Sequence, residues 1–170
     1  MKGVLLAGMV VLLFGAGPAL ARPRASTAPT PIATLERHPE TRLVMDAYMP
    51  NLTRHPAYPR FSNMSLKQLQ DRDPRITDQA LDRIDAALAA AQAPPSVATT
   101  PIFLLAGNPG TRAVLDSEFP GLTGHPDYPK FRFLSLKELQ GFDPRITDAM
   151  LEATQSRLDA AAALEDERAK

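Results

Sequence analysis

The stretch LTRHPAYPRFSNMSLKQLQDRDPRITD, residues 52–78, returns as LTGHPDYPKFRFLSLKELQGFDPRITD at residues 122–148. Matched positions lie 70 residues apart: His55 with His125, Pro74 with Pro144, Asp78 with Asp148. The same offset reaches upstream to Thr41 and Thr111, and to Asp46 and Asp116, without a gap. It also aligns STAPTPIATL at 26–35 with SVATTPIFLL at 96–105, so a whole unit from about Ser26 to Ala91 recurs after a short separator at 92–95.

Each copy reads as a run of short helices. Thr30-Pro31 and Thr100-Pro101 form a helix-opening signal, a capping residue followed by proline at the first helical position. His38-Pro39 and Asn108-Pro109 repeat it. The second helix of each copy should stop near Met49 or Phe119, because Pro50 and Pro120 follow. Ser65 and Ser135 open a short helix as capping boxes with Gln68 and Glu138. Asp73-Pro74 and Asp143-Pro144 break the chain, with Arg75 and Arg145 as ion-pair partners. Thr77 and Thr147 begin the longest helix. Its apolar stripe is Leu81, Ile84, Leu88 and Ala91 in the first copy, with Asp78, Asp82 and Asp85 outside it; in the second it is Leu151, Thr154, Leu158 and Ala161. No run alternates with the period of a strand, so the fold class is all-α.

A unit of about 66 residues buries only about 60% of its unfolded surface and is marginal alone. Two tandem copies packed as a pseudo-symmetric pair, with both long helices in a shared core, would relieve this. The division expected is a signal peptide at 1–21, a flexible tail at 22–29, helical repeats at 30–91 and 100–164, a linker at 92–99 and a charged tail at 165–170.

Lys2, the apolar run 3–17 and the small residues around Ala19 and Ala21 follow the plan of a cleaved secretory signal, which predicts a periplasmic or secreted protein without stable membrane insertion after cleavage. The chain contains no cysteine, so no disulfide supports such a domain, and its nineteen basic residues balance nineteen acidic ones. That balance offers no general electrostatic reason to bind nucleic acid.

His55 and His125 are the first residues to examine for chemistry, as metal ligands or as caps of the turn that follows each. With Tyr58 and Tyr128 they make the candidate ligand or partner contacts. Two equivalent histidines meeting across a twofold axis would be a weak metal site, since no further ligands stand at tetrahedral zinc spacing. Tyr58 with Phe61, and Tyr128 with Phe131, should face one way on a helical turn. Asp71, Asp73 and Asp82 fall at positions one, three and twelve of a calcium loop. Arg75 and Ile76 stand where a ligand and the turn glycine belong, which argues against that reading. No nucleophile elbow or phosphate-cradling glycine loop occurs, and no catalytic residue or cofactor is assigned.

The stretch TPIFLLAGNPGTRAVLDSEFPGLTGHPDYPKFRFLSLKELQGFDPRITDAMLEATQSRLDA resembles a small helical module found as a C-terminal appendage on exported alphaproteobacterial hydrolases. The resemblance spans residues 100–161 and, through the repeat, 30–91. It implies an accessory role and carries no catalytic residue over, and the module is expected to act without a catalytic domain ahead of it. The expected function is that of an exported, non-enzymatic helical repeat protein binding another exported or envelope protein, a hydrolase among the candidates. The alternative is a small-ligand or metal binder using the paired His-Pro loops.

Overall fold

The computed structural model describes residues 24–168, so the proposed signal at 1–21 lies outside the described residues. Among these residues the protein is all-α, with an isolated bridge between Pro31 and Ser65 and no strand. The first unit comprises α1 (Ile32–Arg37), α2 (Pro39–Tyr48), a 3-10 turn (Leu52–Arg54), α3 (Tyr58–Phe61), α4 (Leu66–Gln70) and α5 (Asp78–Ala91). The second comprises α6 (Ile102–Gly107), α7 (Pro109–Glu118), α8 (Tyr128–Phe131), α9 (Leu136–Gln140) and α10 (Asp148–Arg168). Every helix start recurs at the 70-residue spacing. No described helix is long and apolar enough to cross a membrane.

The local signals act much as the residue types dictate. Both capping boxes form, with Ser65 and Ser135 accepting from the backbone N–H of Gln68 and Glu138. Thr77 accepts from the Ala80 N–H at the start of α5. The helix openings at Pro31 and Pro101 differ from expectation. The caps are the prolines themselves, and Thr30 and Thr100 turn backward, their hydroxyls accepting from the N–H of Ser26 and Ser96. Asn108 caps α7 through its side chain, whereas His38 sits at the same place without a capping bond.

Two segments expected to be loose are packed. Thr27 in the expected tail is buried, and the Asp85 carboxylate accepts both its N–H (2.6 Å) and its hydroxyl (2.7 Å). Asp85 therefore belongs to this tie and not to a solvated face. The 92–99 linker is held likewise, its Val97 N–H donating to the Gln155 side chain at 3.0 Å. Both segments also accept from the start of α4 or α9, through Lys67 N–H to the Thr27 carbonyl and Lys137 N–H to that of Val97. At the other end α10 runs through Arg168, so the expected charged tail from 165 is helical as far as it is described, and Glu165 accepts from the Asn108 amide.

The cores correct the expected pairing. Leu81, Ile84, Ala87 and Leu88 of α5 lie in one cluster, while Leu151 and Leu158 of α10 lie in another, so the long helices do not share a core. Each packs on the second helix of its own unit, α5 on α2 and α10 on α7. Thr154 stands where α5 has Ile84 and is fully buried, its hydroxyl satisfied by the Met150 carbonyl.

The units join head to tail, α2 of the first against α6 of the second. Phe103 and Leu104 enter the first unit's core, and Phe133 packs on it. The rings of Tyr48, Phe103 and Phe133 sit 5.0–6.0 Å apart in tilted and edge-on pairs, an arrangement that aromatic quadrupoles favour. Gly107 lets Leu43 approach, since a Cβ there would lie 2.6 Å from Leu43 Cδ1. Seventy residues away, Phe103, Leu104, Gly107 and Phe133 become Ala33, Thr34, Arg37 and Asn63. On the opposing side Leu43, Ala47 and Tyr48 become Ala113, Ser117 and Glu118. A twofold contact would use one patch on both copies; a heterologous contact uses two different ones. The pseudo-symmetric pair is therefore replaced by a head-to-tail array whose outer faces are small or polar.

Candidate functional site

The twice-occurring motif builds the same cleft in each unit. In the first, the HPAYPRF turn and the DPRI break enclose a cleft of about 600 Å³ with Leu52, Phe61, Leu69 and Ile76 among its apolar lining. In the second, HPDYPKF and DPRI enclose one of about 540 Å³ with Leu122, Phe131, Leu139 and Ile146. The turn entering each cleft needs a left-handed residue, supplied by Asn51 (φ 68°) and Gly121 (φ 80°). These are residue types that tolerate that conformation.

His55 and His125 each line their own cleft, so the structure does not bring them together as a metal pair. Among the described residues no group of three or more histidine and acidic side chains could hold a metal ion. Each imidazole Nδ1 accepts the N–H of the residue two positions on, Ala57 or Asp127, at 3.1 Å. In the neutral ring this leaves Nε2–H as a donor. Each ring also rests 5.9 Å from Phe61 or Phe131. Tyr58 and Tyr128 stand edge-on to those phenylalanines, facing one way as the spacing predicts, yet neither lines the cleft of its histidine. Tyr128 instead lines a cavity at the seam between units.

The cleft rims carry a repeated ion pair. Arg75 donates to Asp73 through Nε (2.9 Å), a terminal guanidinium nitrogen (2.6 Å) and its backbone N–H (3.1 Å). Arg145 treats Asp143 in the same way. The guanidinium bonds, followed by the backbone one, hold both carboxyls down to a pKa of about 2. Both stay ionised near neutrality, so they serve as fixed rim charges and are poorly suited to act as general bases. Ser65 and Ser135 are buried with their hydroxyls committed to capping.

The clefts share a shape and differ in chemistry. Arg72 lines the first and forms no ion pair among the described residues. Its counterpart in the second is Phe142, 77% exposed. Cleft two also gains Glu118 and Asp127, but Arg157 and Lys130 neutralise them. One rim is basic; the other is apolar with its charges paired. Sequence reasoning passed over Arg72, Phe142, Phe103, Arg132 and Phe133, all of which lie where the two copies differ in size, charge or polarity.

The chain matches no protein-family model, no curated protein and no solved structure. The resemblance to the hydrolase appendage therefore rests on the quoted residues alone.

Proposed function

We propose that the chain is an exported, non-enzymatic helical module of the cell envelope, periplasmic or secreted, that binds another protein through its two clefts. The observation that carries this reading is Phe142, a large apolar side chain held 77% exposed at the mouth of a cleft with Phe119, Leu122, Phe131, Leu139 and Ile146 in its lining. Ordering an exposed aromatic beside an open apolar depression is the arrangement of a contact anchor, the residue class that dominates protein interfaces. The resemblance suggests an exported hydrolase as the partner, with the module acting in trans. Two clefts on one chain would give bivalent contact, raising avidity over either cleft alone.

The test is affinity capture of residues 22–170 from the envelope and medium, run beside Phe142→Ala and Arg72→Ala. A partner whose yield falls about tenfold or more with Phe142→Ala supports the reading, that being the scale of one interface anchor. An identical set of recovered proteins from all three baits, or no partner at all, overturns it.

A further inference from the structure

The seam between the units holds a cavity of about 370 Å³ that neither cleft includes. Leu43 and Ala47 of α2 and Phe103 and Ala106 of α6 line it with apolar surface, while Arg112, Arg132, Tyr128 and Thr123 line it with donors. The buried Nε of Arg132 has no hydrogen-bond partner, although another nitrogen of the same guanidinium donates to the Ala47 carbonyl at 3.2 Å. A guanidinium carries five N–H donors, so Arg132, with one hydrogen bond from its side chain, has donors to spare where it lines the cavity. The charges agree. Arg112 is held by Asp116 at 3.5 Å, and Asp46, the acidic lining residue, by Arg42 at 3.7 Å, which leaves Arg132 as the unbalanced charge. Arg132, Arg112 and Tyr128 all line this cavity; burial raises the Tyr128 pKa and the two cations oppose the rise.

We propose that this cavity binds a carboxylate carrying an apolar body, the carboxylate on Arg132, Arg112 and the Tyr128 hydroxyl, the body on Phe103 and Leu43. Guanidinium pairs suit planar oxyanions. The first unit has Ser62 in place of Arg132, so the site exists once per chain, created by the head-to-tail contact. It goes beyond the partner-binding reading and stands without it. A small free carboxylate and the C-terminus of a polypeptide share this chemistry.

The probes are benzoate against benzamide, and an apolar tripeptide with a free carboxylate against its C-terminal amide, titrated into the full chain by calorimetry and NMR. Benzoate or the free tripeptide should bind at about 1 mM or tighter, and the amides at least about tenfold more weakly. Arg132→Ser should weaken binding by about tenfold or more, and Arg112→Gln and Tyr128→Phe by less, one charge-assisted bond each. His125→Ala should change nothing. If Arg132→Ser does not fold, the other two variants carry the test. Binding of the tripeptide alone assigns the site to chain termini, and binding of benzoate as well assigns it to small carboxylates. Equal binding of acid and amide, no binding of either acid at 10 times that concentration, or unchanged affinity in Arg112→Gln and Tyr128→Phe overturns the proposal.

Discussion

The first and second units have matching α-helices and a cleft at the same place, yet nearly half of their matched positions differ. Phe103, Leu104 and Phe133 are apolar where they meet the other unit, and Ala33, Thr34 and Asn63 hold those positions where solvent lies. The clefts diverge independently of the seam, through Arg72 against Phe142. Environment, and not ancestry of the motif, accounts for the seam pattern: a side chain is large and apolar where burial rewards it, by about 2 kcal/mol for a Leu or Phe. The cleft rims, Arg72 in one and the exposed Phe142 in the other, have no such packing reason to differ.

Phe103→Ala is the strongest attack on this comparison. It empties a 7%-exposed ring from the seam and should cost about 3 kcal/mol, read by thermal or urea unfolding. Asn63→Ala, at the solvent-facing equivalent of Phe133, should change stability by no more than about 0.5 kcal/mol. Equal effects would mean that the seam does not organise the array.

Next in size is the tie at the start of each unit. Thr27→Val installs the second unit's residue but leaves Asp85 with one partner fewer, an expected loss of about 2 kcal/mol. Adding Asp85→Gln reproduces the Val97–Gln155 pair and should recover part of it. A double-mutant cycle measures the coupling, and strict additivity would show that the two ties are not equivalent devices.

Ser65→Ala and Ser135→Ala should each cost about 1 kcal/mol, alike in the two units because the capping boxes are alike. The smallest effects belong to the rim ion pairs. Folding lowers the Asp73 and Asp143 pKa from 3.8 to about 2. A depressed folded pKa adds stability that is fully present above about pH 4 and disappears as pH falls through about 2. Asp73→Asn should therefore be less stable than the parent near neutrality and indistinguishable from it at about pH 2. Carboxyl NMR titration midpoints near the ordinary value would remove the effect.

Much of the fold is legible because its signals are local. Ser65 with Gln68, and Thr77 before a periodic stripe, declare their helices through bonds spanning three residues. The way the units join depends on contacts such as Tyr48 with Phe133, which no local pattern contains. It was nonetheless written in the alignment of one copy on the other, as changes of polarity at matched positions. The same holds for the site. The His-Pro turns draw attention because they are identical, whereas Arg72, Phe142 and Arg132, on which the proposals rest, stand out only through being different. Tyr128 shows the limit of sequence proximity: three residues from His125, it belongs to another cavity.

A head-to-tail seam has one further result. Units related by a twofold axis present their sites in opposite directions about that axis, suited to a ligand that is itself twofold symmetric. Here the clefts follow one another along the array, and the outer faces carry small or polar residues in place of the seam's large apolar ones. The molecule thus has a front and a back, and anything that engages both clefts must do so in one direction, meeting a basic mouth at one end and an aromatic one at the other.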